Sequence, residues 1–588
     1  MPRFVENDLD QESTPSPPSI EFLINAGVDP VAAIRRHRRL RSQSRSRARV
    51  HQRSKSLPPK MNGPPSEEEV KCYYVGLPGK PRLVARSSSD PWTGPQTDLG
   101  WTRGKTLDPV DQQHPIVALW NDSAGPLRRD FLEALDRIQW LAIDILRLGY
   151  QNVRGTLDES PINPVTVLVS VVPSSTTWNA GVNVVLRCRG ILRRHGIHDV
   201  EVEMKESTIS QCNLGTQPTQ QKLTSGPVAQ PEKCNSLFSE FLGLCIAPAA
   251  SPYHEGTKGL YLRIRGTTRM LLLTCRHVAF AGSDGNEDFE HSTGAPRVIL
   301  QPGNGTLAEA RRHAEEDVRR SERDMKKKRD LPWPSAIRKF NAAAAEKAAG
   351  EELVRRLNDL EEPSNRTIGH VLFSPKMGES RSPSGEKRCR DWALVELDQE
   401  MHETVLAELT NRVFCGMAAK NDTWKATKEE LKGCDPADHY DMEFDDQTHT
   451  VELRGTIAEH IMRDPPTESA SLQEAALVVG KYGRSTGLTI GVTNKVRSIK
   501  QNPIGDTTFM SEEWCILGAK WKSGSCRGTF SGQGDSGSCV WDMEGRISGM
   551  LTSGLDGGSG SLDVSYATPI EWLLADIREQ SGLDVELV

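Results

Sequence analysis

The sequence predicts a mostly β protein with a helical insertion, preceded by a small α/β module and a disordered N-terminal tail. Short β-type runs separated by glycine-containing turns fill most of residues 236–588, which is typical of an all-β barrel or sandwich. Helical and strand-like segments alternate over residues 115–206, as in small α/β units. The chain of 588 residues also has room for roughly three to four domains at about 150 residues each.

Residues 1–114 are predicted to form a mostly disordered tail, because serine, proline and arginine dominate and apolar periodicity is absent. The segment from Arg35 to Lys60 holds nine arginines and two lysines without an acid, although the whole chain has a net charge of −6. This segment resembles a nuclear-import signal, but an RNA-binding arm, a phosphorylation-tunable tail or a plain solvated linker fits it as well. Because the remainder is acidic, nucleic acid is not an expected partner of the folded part.

Residues 115–206 are predicted to form the small α/β module. A first helix is predicted between Pro126 and Gly149, followed by a strand over Val165–Val172, a helix over Trp178–Gly196 and a strand over Asp199–Met204. The apolar residues at helical spacing in the first helix are Leu127, Phe131, Leu135, Ile138, Ala142 and Ile145. The module contains no phosphate-binding loop and no nucleophile motif, so an assembly or regulatory role is the default expectation.

Residues 207–235 are predicted to be a polar linker, and the β domain that follows is interrupted at 307–362. This block is highly charged and rich in alanine, and the prolines of Leu331–Pro334 divide it into two predicted helices. We expect an insertion in a surface loop, where extra length costs little. The module at 115–206 and this insertion are the two segments through which a protein partner is expected to bind.

Three motifs in the β domain carry chemistry. LLLTCRHVAF leads into His277, DWALVELD begins at Asp391, and the glycine-rich turn SGQGDSGSCVW presents Ser536. In this order and on a β background they resemble the chymotrypsin-like (trypsin-like) serine proteases over roughly residues 237–577, including uncharacterised trypsin-like proteins of filamentous fungi that share the DWA and GDSGS signatures. The resemblance implies a double β-barrel and a serine endopeptidase that cleaves protein or peptide substrates.

The resemblance assigns each residue a role. Ser536 would be the nucleophile, His277 its general base and Asp391 the group that orients the imidazole. The N–H groups of Gly534 and Ser536 would form the oxyanion hole. Each residue also has a plainer interpretation: an incidental serine in a turn, a core histidine and a strand-edge acid. Asp391 has three rivals for its role, namely Asp284, Asp288 and Asp398.

The resemblance also implies a substrate-binding strand. Thr552, Ser553 and Gly554 match the segment that pairs with the substrate backbone and lines the primary pocket. Phe530 lies six residues before Ser536, where the floor of that pocket is expected. Because no acid stands there, we expect small or apolar side chains to be preferred over arginine and lysine.

Several positions depart from the family pattern. Val278 replaces a usual cysteine, so a well-known disulfide is missing, and Ser538 and Cys539 replace a glycine and a common proline. In secreted members a freshly cut N-terminus inserts beside the acid that precedes the nucleophile, which is Asp535 here. Because more than 200 residues precede the domain, we expect Asp535 to pair internally and activity to require no zymogen cleavage.

Two other function classes remain open. The fold could be a catalytically weak or inactive scaffold for protein–protein interaction, or the basic tail could make the chain a nucleic-acid-binding protein, which the acidic remainder disfavours. No cofactor and no metal are expected. The 12 cysteines include no CxxC pair and no zinc-finger spacing, which argues against a structural zinc. Neither a secretory signal nor an apolar run of membrane-spanning length occurs. We therefore expect reduced thiols, an intracellular location in cytoplasm or nucleus, and no membrane partner.

Overall fold

In the computed structural model the described residues run from 63 to 588. They exclude 95–96, 99–100, 103, 151–162, 212–236, 238, 293–294, 330, 332, 403, 416–443, 446, 464–476, 506 and 521–526. The predicted basic tail from Arg35 to Lys60 lies outside the described residues. Residues Pro64–Val588 belong to one compact unit.

The first part of this unit, up to residue 211, contains four helices and eight strands among its described residues. In chain order they are α1 (Glu67–Cys72), β1 (Leu83–Arg86), β2 (Thr97–Asp98), β3 (Trp101–Thr102), β4 (Lys105–Asp108), α2 (Pro115–Asn121), α3 (Pro126–Ala134), β5 (Trp140–Tyr150), β6 (Val165–Val171), α4 (Trp178–Arg194), β7 (Glu201–Glu206) and β8 (Thr208–Gln211). The predictions for β6, α4 and β7 are confirmed. Helix α4 begins at the capping side chain of Thr177 and is followed by Gly196 at a φ of 79°, as capping preferences favour.

The predicted helix between Pro126 and Gly149 is wrong in its second half. Helix α3 ends at Ala134, and Trp140–Tyr150 is the strand β5. Side chains of β5 alternate between two hydrophobic clusters, with Ile143 and Ile145 in one and Ala142 and Leu146 in the other. Because both faces of the strand are buried, its apolar positions satisfy a helical spacing as well as a strand spacing.

The prediction that residues 1–114 are disordered is wrong for the described residues of the range 64–114, which exclude 95–96, 99–100 and 103. Strand β1 pairs with β7, and the hydroxyl groups of Tyr73 and Tyr74 donate to the carboxylate of Glu203 over 2.6 and 2.8 Å. Because few of its side chains are apolar, the composition of this segment does not indicate that it is folded. The predicted linker at 207–235 is likewise wrong at its start, because residues 208–211 form β8.

The middle part of the unit carries most of an antiparallel sheet. Its described elements are β9 (Cys245–Pro248), β10 (Gly256–Thr257), β11 (Leu260–Ile264), β12 (Met270–Thr274), α5 (Arg276–Ala279), β13 (Phe289–Glu290), β14 (Val298–Leu300), α6 (Asn304–Lys328), α7 (Pro334–Asp359), β15 (Thr367–Ser374), β16 (Gly378–Arg381), β17 (Lys387–Arg390), β18 (Ala393–Leu397), β19 (Arg412–Phe414), β20 (Phe444–Asp445), β21 (Thr450–Glu452) and α8 (Glu459–Arg463). Helices α6 and α7 confirm the two predicted helices of the insertion, which lies between the paired strands β14 and β15.

The last part of the unit supplies β22 (Val478–Gly483), β23 (Gly487–Thr493), β24 (Ser498–Ile504), β25 (Thr507–Gly518), β26 (Cys539–Asp542), β27 (Ile547–Asp556), β28 (Leu562–Pro569), α9 (Ile570–Ser581) and β29 (Val585–Leu587). Two large sheets result. One runs β10-β9-β14-β15-β18-β12-β11-β29, with β13 on β15. The other runs β1-β7-β6-β5-β24-β25-β23-β22-β26-β27-β28, with β4 on β5 and β8 on β27. The pairing of β25 with β28 closes β22, β23, β25, β26, β27 and β28 into a ring.

The predicted module at 115–206 shares a sheet with the end of the chain. Ile143 in β5 pairs with Ile499 in β24. The buried carboxylate of Asp144 accepts hydrogen bonds from Ser498 Oγ (2.5 Å) and from the hydroxyl of Tyr566 (2.9 Å). The chain is therefore sheet-rich, as predicted, and its first folded part is continuous with the ring of strands. Every helix that the structure describes is too short or too polar to cross a lipid bilayer.

Candidate active site

Strand pairing brings two of the predicted site residues together. His277 lies in α5, directly after β12, and Asp391 lies between β17 and β18. Strands β12 and β18 are antiparallel neighbours, with Thr274 opposite Ala393. Because His277 follows Thr274 by three residues and Asp391 precedes Ala393 by two, this register sets the two side chains at the same end of the strand pair.

Asp391 makes two hydrogen bonds with His277. The ring Nδ1 lies 2.6 Å from Asp391 Oδ2, and the backbone N–H of His277 donates to Oδ1 over 3.1 Å. Burial would raise the pKa of Asp391, but the charge of His277 and these hydrogen bonds outweigh burial and hold the pKa below its usual value. An ionised Asp391 fixes the orientation of the ring and leaves Nε2 as the nitrogen that can exchange a proton.

The Nε2 atom of His277 is buried and has no hydrogen-bond partner within the described residues. Buried polar atoms are usually satisfied, so an unpartnered ring nitrogen calls for an explanation. His254 Nε2 lies 2.5 Å from the main-chain oxygen of His277 and holds the backbone of α5 in place. With Nε2 unpartnered, His277 is suited to act as a general base that accepts a proton from a nucleophile or a substrate.

Helix α9 holds the residues on both sides of Asp391. The guanidinium of Arg390 binds the carboxylate of Asp576, with Nη2 2.8 Å from Oδ1, and Trp392 Nε1 donates to Asp576 Oδ2 over 2.8 Å. Asp576 is itself buried. The position of Asp391 is therefore fixed through the residues on both sides of it.

Ser536 lies in the glycine-rich turn before β26. Gly534 and Gly537 have φ values of 100° and 92°, which side chains with a Cβ rarely adopt. A Cβ on Gly537 would also collide with the main-chain oxygen of Thr257. Ser536 is fully buried, and its hydroxyl donates to the main-chain oxygen of Thr552 over 2.7 Å. The hydroxyl proton therefore points to Thr552 and not to His277.

Two amide groups of this turn have no acceptor within the described residues. Thr257 Oγ1 donates to the main-chain oxygen of Gly534 over 2.8 Å, and the N–H of Thr257 donates to the main-chain oxygen of Ser536 over 2.9 Å. Both carbonyl groups are thus held in place by hydrogen bonds from Thr257. Within the described part of the chain, the N–H groups of Gly534 and Ser536 donate to no acceptor. These are the two donors that the resemblance assigns to an oxyanion hole.

The sequence matches no protein-family model, and no curated protein is significantly similar to it. The functional interpretation of His277, Asp391 and Ser536 therefore depends on their geometry.

Asp535 is buried and fully engaged inside the protein. Its carboxylate lies 3.2 Å from Lys481 Nζ, and both side chains are completely buried. It also accepts hydrogen bonds from Ser485 N (2.7 Å), Thr486 Oγ1 (2.6 Å) and Gly532 N (2.9 Å). The acid before Ser536 thus has an internal cation, as the sequence analysis expected of it.

Three of the four predicted substrate-binding residues, Thr552, Ser553 and Gly554, lie together in β27. Thr552 supplies the carbonyl group that faces Ser536, and Ser553 Oγ accepts a hydrogen bond from Lys500 Nζ over 2.7 Å. One edge of Ser553 and Gly554 pairs with β28 and the other pairs with β8. The ring of Phe530 is buried in a hydrophobic cluster that also contains Leu551, and its role as a pocket floor stays a prediction.

The three rivals of Asp391 are engaged elsewhere. Asp284 pairs with Arg297 (2.8 Å), Asp288 Oδ1 accepts from Lys376 N (2.7 Å), and Asp398 Oδ1 accepts from Glu400 N (3.2 Å). The structure thus selects Asp391 as the partner of His277.

Cys275, His277 and Asp391 offer ligand atoms that lie within 4.8 Å of one another. This donor set could in principle hold a metal ion. However, both oxygens of Asp391 accept hydrogen bonds from His277, and Cys275 Sγ lies 3.4 Å from the main-chain oxygen of Leu551. These contacts favour a shared hydrogen bond between His277 and Asp391 over a metal ion bound to both.

The sequence analysis missed four residues that support the site, namely His254, Thr257, Lys481 and Asp576. Each acts through contacts with residues that are distant in the sequence, and none stands in a motif. A fully buried lysine in the strand VVGKYG was the one available signal, because lysine is almost never fully buried without a partner.

Proposed function

We propose that the chain is a serine endopeptidase of the double β-barrel, chymotrypsin-like kind, with His277, Asp391 and Ser536 as its triad. The observation that carries this proposal is the ionised Asp391 on Nδ1 of His277, together with an unpartnered Nε2. The closed ring that carries Ser536 supports one barrel, and the sheet that carries His277 supports the other.

The proposed reaction follows from these groups. Ser536 Oγ turns from Thr552 towards His277, which takes its proton as the oxygen attacks the peptide carbonyl carbon. Negative charge then develops on the carbonyl oxygen, where the N–H groups of Gly534 and Ser536 would stabilise it. One such donor is worth on the order of 2.7–4 kcal/mol in the transition state. His277 then protonates the leaving amine, and water hydrolyses the acyl-enzyme.

A fluorophosphonate probe tests the proposal, because it reacts with activated serine hydroxyl groups. We expect the wild-type chain to be labelled at Ser536, and Ser536→Ala and His277→Ala to show no labelling. Asp391→Asn should label slowly, since loss of the orienting carboxylate lowers turnover by about 10⁴ in a related triad. If all variants were labelled equally, or if the wild type were not labelled at all, the proposed protease activity would be refuted.

A second function is favoured by one specific observation. The Ser536 hydroxyl is bonded to Thr552 and not to His277, which also fits a weak or inactive protease fold that serves as a scaffold. In that case the segments 115–206 and 307–362 are the proposed surfaces for a protein partner.

We place this chain within the cell, in cytoplasm or nucleus, and imaging of a tagged chain with and without residues 35–60 tests the compartment.

A further inference from the structure

The helical insertion is a hairpin whose turn lies at the end opposite its base. Helices α6 and α7 pack antiparallel, because Arg311 forms an ion pair with Glu361 and Lys347 Nζ lies 3.5 Å from Glu322 Oε1. Helix α6 has 25 residues, which corresponds to about 37 Å. We call the described residues among 326–339 the tip of the insertion; residues 330 and 332 lie outside the described residues.

Three large apolar side chains of the tip are exposed to water. Leu331 is 43% exposed, Trp333 61% and Ile337 50%. Within the described part of the chain, the other exposed large hydrophobic residues are Leu119, Tyr253 and Val405. Half of these exposed side chains therefore lie in the tip, and a cluster of this kind usually marks an interaction site.

The tip is also strongly basic. Residues 326–339 contain four lysines, two arginines and one acid, although the whole chain has a net charge of −6. Lys327 and Lys328 lie 3.9 and 4.0 Å from the carboxylate of Asp324. Among the described residues, the cations of the tip without an ion-pair partner are Lys326, Arg329, Arg338 and Lys339. By contrast, Arg312 in the first half of α6 pairs with Glu316 over 3.0 Å.

An anionic lipid surface matches this combination better than a protein surface does. Lysine is depleted in protein–protein interfaces, whereas the tip has four lysines. Clusters of lysine and arginine attract anionic lipids, and tryptophan is enriched where a membrane meets water. The methylene groups of a lysine can also lie along apolar chains while its amine stays in water.

We propose that the tip of the insertion binds the surface of an anionic phospholipid membrane. Leu331, Trp333 and Ile337 insert among the lipids, and the surrounding lysines and arginines bind the anionic headgroups. This contact does not depend on the proposed protease function. The expectation of no membrane partner came from the lack of a membrane-spanning segment, which binding at the surface does not require.

Quenching of Trp333 by brominated lipids tests the contact in the full-length chain. The vesicles contain equal parts of phosphatidylcholine and phosphatidylserine, with bromine on the acyl chains, and bromine quenches the fluorescence of a tryptophan that it contacts. The chain has 12 tryptophans, so Trp333→Phe serves as the reference, because it keeps an aromatic ring and removes the fluorophore. We expect these vesicles to quench the wild type more than Trp333→Phe, and brominated phosphatidylcholine alone to show no such difference.

A matched pair of variants tests the charges of the tip. Lys326→Gln with Lys339→Gln removes two cations of the tip and keeps Trp333. We expect the lipid concentration at half-maximal quenching to rise about tenfold. Arg312→Gln with Arg355→Gln removes the same charge from the same two helices about 20 Å away, beyond the screening length of about 8–10 Å. This control should behave as the wild type does.

The apolar part of the contact needs its own variant. Ile337→Ser keeps the charges and Trp333, and it should raise the lipid concentration at half-maximal quenching by about tenfold. Because Ile337 is exposed, the variant should fold as the wild type does, which circular dichroism and thermal unfolding check. Quenching equal to that of the wild type would show that the apolar side chains do not insert.

The remaining outcomes separate the tip from other parts of the chain. The basic segment from Arg35 to Lys60 can also bring the protein to anionic vesicles, so vesicles that bind the chain without quenching Trp333 would overturn the proposal and assign the binding to that segment. Equal shifts in the tip variant and its control would reduce the contact to net charge and overturn it as well. If neither kind of vesicle binds the chain, the proposal is refuted and an acidic protein surface becomes the alternative partner.

Discussion

Asp535, which directly precedes Ser536 in the chain, forms a completely buried ion pair with Lys481. The lysine also donates to the main-chain oxygen of Gly487 over 2.9 Å, so its charge links β22, β23 and the turn that carries the serine. Two buried charges are expensive to desolvate, and each depends on the other. This pair couples the stability of the turn to the positions of the amide groups on either side of Asp535.

Lys481→Met should therefore damage both stability and activity. It leaves the carboxylate of Asp535 buried without its cation, which typically costs about 3–5 kcal/mol. Urea unfolding measures the loss, and the rate of fluorophosphonate labelling measures the effect on Ser536. The double variant Lys481→Met with Asp535→Asn should regain part of the stability. If Lys481→Met matched the wild type in both assays, the pair would have no role.

A second buried lysine gives the fold a pH dependence. Lys258 is buried against the hydroxyl of Tyr261 (3.1 Å) and Gln301 Oε1 (2.9 Å), and burial lowers its pKa to about 7. In the unfolded chain an ordinary lysine keeps its proton up to about pH 10.4. Between these values the unfolded state binds more protons, so the free energy of unfolding rises with pH across this window.

Lys258→Met should remove this dependence. We expect the variant to be more stable than the wild type below about pH 7, and the difference to shrink steadily towards about pH 10. Burial lowers the pKa of His402, and the charge of Lys258 lowers it further, so both proteins carry His402→Gln to make their difference specific to Lys258. Thermal unfolding across this range measures it. A difference that stays constant with pH would contradict the assignment.

The sequence predicted the short motifs that carry the site residues, but it did not predict which distant strands pair with each other. His277, Asp391 and Ser536 stand in short motifs whose glycine and strand patterns are visible in the sequence. Strand β5 was mistaken for a helix because both its faces are buried. Strand β8 is polar and gains its structure from the edge of β27, so no periodicity marks it.

The helical insertion is attached to the rest of the fold at its base. Its base is held by Glu255, whose Oε1 accepts from Thr306 N over 2.7 Å, and Glu255 also pairs with Arg484. Strands β14 and β15 pair at Leu300 and Thr367, so the two ends of the insertion are close. Loop length has a small effect on stability when the ends are held in this way.

Replacement of residues 308–359 by a short glycine–serine linker should leave the protein folded. We expect cooperative unfolding with a midpoint within a few degrees of the wild type, and unchanged labelling of Ser536. Glu255→Ala is the contrasting variant, because it strips Arg484 of a buried partner and should lower the midpoint clearly. Loss of cooperative unfolding in the linker variant would show that the helices are part of the core.

At the scale of the whole molecule, residues 64–211 and the ring of strands are one structure. Strand β5 covers the edge of β24, and Asp144 receives hydrogen bonds from Ser498 and Tyr566 across that junction. Lys205 and Asp563 add a second buried polar contact. The side chains of Val496 and Ile499 belong to the hydrophobic cluster of the first folded part. The sequence pattern does not reveal which distant residues are in contact, so it does not indicate that these two parts share a sheet. For this reason two separate domains were predicted.

The chain 237–588 should consequently fail to fold when it is produced alone. Its β24 edge would be open, Tyr566 would lose its buried acceptor, and apolar side chains such as Ile499 would be exposed to water. We expect aggregation or a non-cooperative thermal transition by circular dichroism. Co-expression with residues 64–211 as a separate chain should restore a cooperative transition, because the missing contacts are between strands and side chains. A stable, cooperative 237–588 chain that labels at Ser536 at the wild-type rate would show that the two parts are independent domains.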